Sequence, residues 1–127
     1  MAIASYLAPK LLNLVLTNTS FAPITAVFGA LHTADPGPTC TGSPLASCPR
    51  VAVVFNAAVS ATSVNATGVS WLTSASGTIT HLSLWDGSAT ATANALWYGA
   101  LTASKAVNAG DTITAASGAI VVSVSVS

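Results

Sequence analysis

The chain has 127 residues, of which three are Lys or Arg and three are Asp or Glu, so that 5% are charged and 52% are hydrophobic. Soluble domains carry about 25% charged residues, and proteins with almost no net charge tend to associate. The length indicates one domain. The composition argues against a free, monomeric enzyme and indicates a domain that is covered by copies of itself or by partners.

The first segment predicts a short α-helix over about residues 5–17. The apolar residues that recur at the spacing of one helical face are Leu7, Leu11, Leu14 and Val15, and Leu12 and Leu16 widen that face. Ser5 could cap the helix, and Pro9 fits only in its first turn. The helix should end at residues 17–20, where Thr, Asn and Ser side chains compete for backbone hydrogen bonds.

The rest of the chain reads as short strands separated by turns. A Pro- and Gly-rich loop over residues 32–49 follows the first strand, and Asp86-Gly87 and residues 108–111 are further turn signals. The predicted strands are residues 25–31, 50–55, 63–72 (weaker, with Gly68 inside), 78–85, 95–101, 112–115 and 119–126. In the last strand, Val122, Val124 and Val126 alternate with serines, which is typical of a half-buried strand.

Short strands without intervening helices predict a mainly β fold, a single β-sandwich or jelly-roll-like domain with a short N-terminal helix. The β-module should span about residues 24–127. No heptad pattern or repeat of 20–50 residues is present, so the chain encodes no coiled-coil shaft.

Membrane insertion and nucleic-acid binding are both disfavoured. A membrane-spanning helix needs about 20 consecutive apolar residues, and the densest run, residues 11–16, is interrupted by Asn13. The N-terminus does not have the pattern of a signal peptide. Lys10, Arg50 and Lys105 are scattered, whereas nucleic-acid affinity depends on clustered cations.

No constellation of side chains predicts catalysis or metal binding. The candidates for a metal site are His32, His81, Cys40 and Cys48, but they lack the pairwise spacing of zinc ligands. The nucleophile motif G-x-S-x-G is absent, since Gly68-Val69-Ser70 is followed by Trp71. We therefore expect no catalytic residue, no metal and no cofactor.

The three carboxylates, Asp35, Asp86 and Asp111, each lie at a turn beside Gly or Pro. Aspartate commonly accepts hydrogen bonds from its own turn, so we expect structural roles for all three.

Cys40 and Cys48 lie within the Pro- and Gly-rich loop. A disulfide between them would close this loop and contribute about 2–3 kcal/mol in the chain-entropy model. Without a secretory signal the default is free thiols, whereas a particle released from its host would meet oxidising conditions. The sequence leaves both states open.

Four aromatic residues are candidates for contacts with partners: Trp71, Trp85, Trp97 and Tyr98. Core packing is the favoured interpretation for Trp85, which follows the Leu82/Leu84 strand. Adjacent strand residues face opposite sides, so either Trp97 or Tyr98 should lie away from the core. The expected interface residues are Leu7, Leu11, Leu14, Val15, Trp97 and Tyr98.

Five segments together resemble small virion proteins of tailed bacteriophages that are labelled phage tail fibre proteins, similar to the Gp80-like family. These segments are residues 6–21 (YLAPKLLNLVLTNTSF), 30–37 (ALHTADPG), 49–55 (PRVAVVF), 79–87 (ITHLSLWDG) and 95–112 (ALWYGALTASKAVNAGDT). Relatives tend to have a Glu and a Tyr-Ala-Arg after the loop glycine. Here the Glu is missing and Cys48-Pro49 precedes Arg50, which suggests a remodelled loop.

The resemblance implies a non-enzymatic virion protein, made in the host cytoplasm and located on the particle surface. The leading interpretation is a capsid decoration or cement module, because the chain is short, neutral and without shaft repeats. The alternative, which the family label favours, is a tail fibre or minor tail protein. A module that binds host glycans through Trp97 or Tyr98 is a further hypothesis.

The partners expected from this interpretation are the chain itself, as a homotrimer or another homo-oligomer, and a major capsid or tail protein. No nucleic acid or membrane is expected as a partner.

Overall fold

The computed structural model describes residues 1–125 and confirms a mainly β fold with one short helix. In this part of the chain the elements are β1 (Ala2–Ile3), α1 (Leu7–Leu16), β2 (Val27–His32), β3 (Val51–Val53), β4 (Thr62–Val64), β5 (Val69–Leu72), β6 (Gly77–Trp85), β7 (Ala95–Val107), β8 (Thr112–Ala115) and β9 (Val121–Ser123).

One five-stranded antiparallel sheet, in the order β1-β7-β6-β2-β3, forms the main layer, and the pairs β4-β9 and β5-β8 form two small sheets. The register of β2 on β6 places Leu31 opposite Leu82 and His32 opposite His81. Because directly opposite residues share a face, Leu31 and Leu82 lie on one side of the sheet. His32 and His81 lie on the other.

The main core packs on the Leu31/Leu82 side of the large sheet, against the small sheets and α1. Trp71 of β5 is 1% exposed there, and Leu7 of α1 is also 1% exposed. A smaller cluster of Ala4, Cys40, Trp85 and Ala95 packs separately. The arrangement is sandwich-like, with apolar layers stacked on the five-stranded sheet.

The helix differs from its prediction at its start. Ser5 does not cap it; the N-cap is Tyr6, without a side-chain cap, and the Ser5 hydroxyl donates to the carbonyl oxygen of Pro38 instead. Pro9 lies in the first turn, as predicted. After the helix, Asn18 adopts a left-handed conformation with φ 54°, which asparagine tolerates better than most residues.

Several strand predictions need correction. The segment 63–72 is two strands in different sheets, β4 and β5, with Gly68 in the connection. Strand β7 continues to Val107, because it pairs with the full length of β6 across an irregularity between Ile79 and His81. Strand β9 ends at Ser123, so Val124 is 62% exposed and the predicted alternation fails there. Val126 lies outside the described residues.

Candidate functional site

A polar network lies between the large sheet and the covering loop, residues 33–50. His32 Nδ1 is 2.8 Å from the carbonyl oxygen of Gly42, and His32 Nε2 is 2.7 Å from Ser83 Oγ. The indole nitrogen of Trp85 donates to the same Ser83 Oγ at 2.7 Å. Strand β2 supplies the histidine, β6 supplies the serine and tryptophan, and the loop supplies the carbonyl group.

The partners of His32 determine its tautomer. A carbonyl oxygen only accepts, so Nδ1 carries the proton and Nε2 accepts from the Ser83 hydroxyl. The Ser83 oxygen then accepts from Trp85, and each polar group of the network has a partner. Burial lowers the pKa of His32 below its ordinary value of 6.5, outweighing the opposite effect of the hydrogen bond to Gly42. The imidazole of His32 is therefore uncharged at neutral pH.

Ser83 and His32 have the contact geometry of a nucleophile and its general base, but both side chains are buried. Ser83 is 0% exposed and His32 is 2% exposed. The group that orients the imidazole is a carbonyl oxygen rather than a carboxylate. The arrangement satisfies buried polar groups and attaches the covering loop to the sheet.

Arg50 extends this network to the surface. Its guanidinium carbon lies 3.6 Å from the ring centroid of Trp85, and Nη1 donates to the carbonyl oxygens of Gly87 and Ala89. Burial lowers its pKa, partly offset by the negative charge of Asp86. A stacked, hydrogen-bonded Arg of this kind fixes the start of β3 against the loop that follows β6.

All three aspartates accept hydrogen bonds from loop residues, and Asp35 and Asp111 do so within their own turns, as predicted. Asp35 accepts from the backbone of Gly37, and Asp111 accepts from the backbone of Asn108. Asp86 accepts from both the backbone and the side chain of Asn94, closing the loop between β6 and β7. Among residues 1–125, no group of three or more His, Cys, Asp or Glu is placed to hold a metal ion.

The two cysteines are unpaired and pack on different clusters. Cys40 belongs to the small cluster, with Sγ 3.9 Å from the carbonyl oxygen of Trp97. Cys48 packs against the main core, with Sγ 3.8 Å from the carbonyl oxygen of Leu72. Burial raises the pKa of Cys40 to about 11 and also raises that of Cys48, so both are protonated thiols at neutral pH.

Trp97 and Tyr98 pack on opposite sides of the sheet. Trp97 contacts the main core and Tyr98 contacts the small cluster, and both are partly buried. Trp71 is a core residue whose indole nitrogen donates to the carbonyl oxygen of Gly29 at 2.9 Å. Trp85, also buried, has the core position predicted for it.

Asn65 organises a turn that sequence reasoning did not identify. It is 0% exposed, its amide nitrogen donates to the carbonyl oxygens of Thr67 and Ala116, and its amide oxygen accepts from the backbone of Ile120. The partners lie up to 55 residues away, so no local pattern reveals this role.

The expected interface residues on α1 fall on two faces. Leu7 is a core residue and offers no surface to a partner; Leu11 is half-buried and Leu14 is 43% exposed. The outer face of α1 consists of Leu12, Val15 and Leu16, which are 59%, 78% and 74% exposed. Of the six expected residues, Val15 is therefore the most accessible on the helix.

A comparison with protein-family models matches residues 2–123 to the podophage GP4 fiber I protein gp80 family. The chain belongs to the Gp80 family. It is thus a structural component of a phage virion of the fibre type. No curated protein sequence matches it.

Three of the five segments that carry the Gp80 resemblance meet at the polar network. His32 lies in the 30–37 segment, Arg50 in the 49–55 segment, and Ser83 and Trp85 in the 79–87 segment. In this member of the Gp80 family, the same segments are joined by hydrogen bonds and by the Arg50 stack. None of the helices in the described part is long and apolar enough to cross a membrane.

Proposed function

We propose that this Gp80-family chain is a self-associating module of a phage fibre, and that copies meet through the outer face of α1. The observation that carries the proposal is the exposure of Leu12, Val15 and Leu16 on a helix whose opposite side already packs on the core. A helix that is apolar on most of its circumference is expected to be covered.

The energetics favour association through this face. Apolar area contributes about 25 cal/mol per Å² when it is removed from water, and the ten-residue helix carries one charged side chain, Lys10. No acidic or basic residue lies in its last turn, so burial of the face desolvates no charged side chain there. A homotrimer or another homo-oligomer is the form that we expect.

Fibre placement is favoured here over capsid decoration, the leading interpretation from the sequence. A short, neutral chain without shaft repeats suits a decoration module, but it suits a fibre module equally well. The family description, by contrast, names a fibre. Contacts with a neighbouring tail protein follow from this placement, and a position on the particle surface accords with it.

The glycan-binding hypothesis has weaker support. Sugar-binding aromatic platforms need an accessible ring face, whereas Trp97 and Tyr98 each pack part of their surface against a hydrophobic cluster. Alanine substitution of either residue should leave adsorption to host cells unchanged in a folded variant. A selective loss of adsorption would revive the hypothesis.

Particle labelling tests the fibre placement. Gold-labelled antibodies against this chain should mark the fibres of intact virions, and quantitative mass spectrometry should count roughly three to eighteen copies per particle, as closed fibre symmetries give. Labelling spread over the head, with hundreds of copies, would overturn the fibre placement in favour of decoration.

A further inference from the structure

A cleft of about 650 Å³ opens between β7 of the large sheet and β8 of a small sheet. Its floor contains the core residues Leu31, Trp71 and Leu82, and its walls include Ala103, Ala116 and Ala119. The volume lies within the range of pockets that enclose ligands. Small wall residues leave room for bulky side chains to enter from outside.

The chemistry of the cleft suits an apolar segment with a partial negative charge at one end. Among residues 1–125, the only charged side chain that lines the cleft is that of Lys105, which is exposed, and no carboxylate lines it. An occupant would therefore bury apolar side chains against the floor and place hydrogen-bond acceptors beside the Lys105 ammonium group.

The last turn of α1 has both the apolar side chains and the hydrogen-bond acceptors that such an occupant needs. Leu12, Val15 and Leu16 supply exposed aliphatic side chains. The backbone N–H and the hydroxyl of Thr17 and the backbone N–H of Thr19 all donate to the carbonyl oxygen of Asn13. Within residues 1–125, the carbonyl oxygens of residues 14–16 accept no hydrogen bond. The C-terminus of a helix carries a partial negative charge and is stabilised by a nearby cation.

We infer that the last turn of α1 from one copy docks into the β7/β8 cleft of a second copy, with Lys105 of the receiving copy beside the free carbonyl oxygens. This inference rests on the proposed self-association and specifies its interface. Helix-in-groove binding uses aliphatic anchors on one helical face in the same way.

Such a contact joins two different surfaces, so a single contact is of the head-to-tail type. A pair of copies joined by one such contact retains one free helix and one free cleft. Contacts of this type close into a ring when the rotation permits, and otherwise extend into a filament. Either outcome suits a component of a fibre.

Single variants test the two surfaces. Val15→Asp should weaken self-association at least tenfold, because it places a charge in the cleft. Ala103→Trp should do the same by filling the cleft, and Ala116→Trp is a second variant if the first misfolds. Lys105→Met should weaken association about two- to fivefold, whereas the matched Lys10→Met should leave it unchanged. Circular dichroism checks the fold of each variant.

Mixing the variants distinguishes head-to-tail docking from helix-to-helix pairing. Val15→Asp and Ala103→Trp should each be monomeric alone, and an equimolar mixture should form a 1:1 dimer in sedimentation velocity. In this dimer the intact helix of the Ala103→Trp copy occupies the intact cleft of the Val15→Asp copy. Neither copy has a second intact surface, so no third copy can bind. Failure to form this dimer, or normal association of folded Ala103→Trp protein, would overturn the inference.

Comparing the association of the wild-type protein with that of the cleft variants distinguishes an error in the docking site from an error in self-association itself. If the wild-type protein associates while both cleft variants associate equally well, the docking site is wrong but self-association stands. If it remains monomeric at every concentration, self-association itself is wrong, and the docking inference falls with it.

Discussion

Ser83 joins three parts of the chain, since its single hydroxyl connects His32 of β2 and Trp85 of β6, and His32 in turn holds the covering loop through Gly42. Among the described residues, no buried side-chain polar atom lacks a partner. A core of this kind is sensitive to the loss of one member, because the remaining groups cannot reach water.

Ser83→Ala should destabilise the fold by at least about 2 kcal/mol, because His32 Nε2 and the Trp85 N–H each lose a buried partner at about 1–3 kcal/mol apiece. Urea unfolding measures the free-energy difference. The control is Ser70→Ala, an exposed serine bonded to Thr114 at 3.3 Å, which should change stability by less than about 0.5 kcal/mol. Equal effects of the two substitutions would contradict the account of the network.

Stability should fall on mild acidification because His32 is held neutral. Its pKa in the folded state lies below 6.5, so below pH 6.5 the unfolded chain binds a proton that the folded chain does not. The free energy of unfolding is then largest above pH 6.5 and decreases as pH falls towards the folded-state pKa. Urea unfolding at pH 7.5 and 5.5 should show this decrease in His81→Gln protein and a smaller one in His32→Gln protein. An unchanged decrease in His32→Gln would show that another group is responsible.

Thiol reactivity should differ between the cysteines. Cys48 is partly exposed, whereas Cys40 is 1% exposed with a pKa raised to about 11. An aromatic disulfide reagent should modify Cys48 first and reach Cys40 only on unfolding, so Cys48→Ser protein should show no fast reaction. A purified protein lighter by two hydrogens would instead demonstrate the disulfide that the sequence left open.

At the scale of elements, the sequence predicts the bounds of a strand where turn residues lie at both of its ends. Strand β8 has the predicted bounds, Thr112–Ala115, because turn residues define both of its ends. The segment 63–72 was wrongly joined, because nothing local indicates that β4 and β5 pair with different strands. The apolar residues of α1 were identified, but which of them remain exposed depends on how the helix packs on the sheet.

The members of the polar network could be predicted from the sequence only in part. Trp85 is predicted as a core residue, whereas the sequence offers His32 only as a candidate zinc ligand and Arg50 only as a scattered cation. Ser83 did not stand out among many serines, since its contact with His32 joins positions 51 residues apart. The β7/β8 cleft likewise depends on how separate sheets are placed, which no sequence period encodes.

Close packing between β2 and β5 requires a glycine at position 29. A Cβ there would lie 2.7 Å from Cζ2 of Trp71 and 3.3 Å from Cγ2 of Val53. Gly29→Ala should therefore cost about 1–3 kcal/mol through overpacking, as measured by chemical unfolding. Gly68→Ala, where the nearest atom is 3.5 Å from the added Cβ, is the matched control. A Gly29→Ala protein as stable as wild type would show that the Trp71 contact relaxes freely.

At the scale of the whole molecule, the proposed self-association accounts for both the scarce charge and the exposed apolar surface. The chain retains a structured core that leaves the outer face of α1 and the β7/β8 cleft uncovered. Membership of a family of fibre proteins gives these surfaces a use, since a fibre is built from repeated contacts between subunits. The low charge noted in the sequence then reduces the cost of desolvation when copies meet.

Sedimentation velocity over a range of protein concentrations tests this central claim most directly. The wild-type protein should shift from monomer to larger species as concentration rises, and Leu16→Asp should abolish the shift. Val59→Asp should leave the shift unchanged, since Val59 is 77% exposed but lies outside α1. A wild-type protein that stays monomeric at high concentration, or a Leu16→Asp protein that assembles like wild type, would contradict the account.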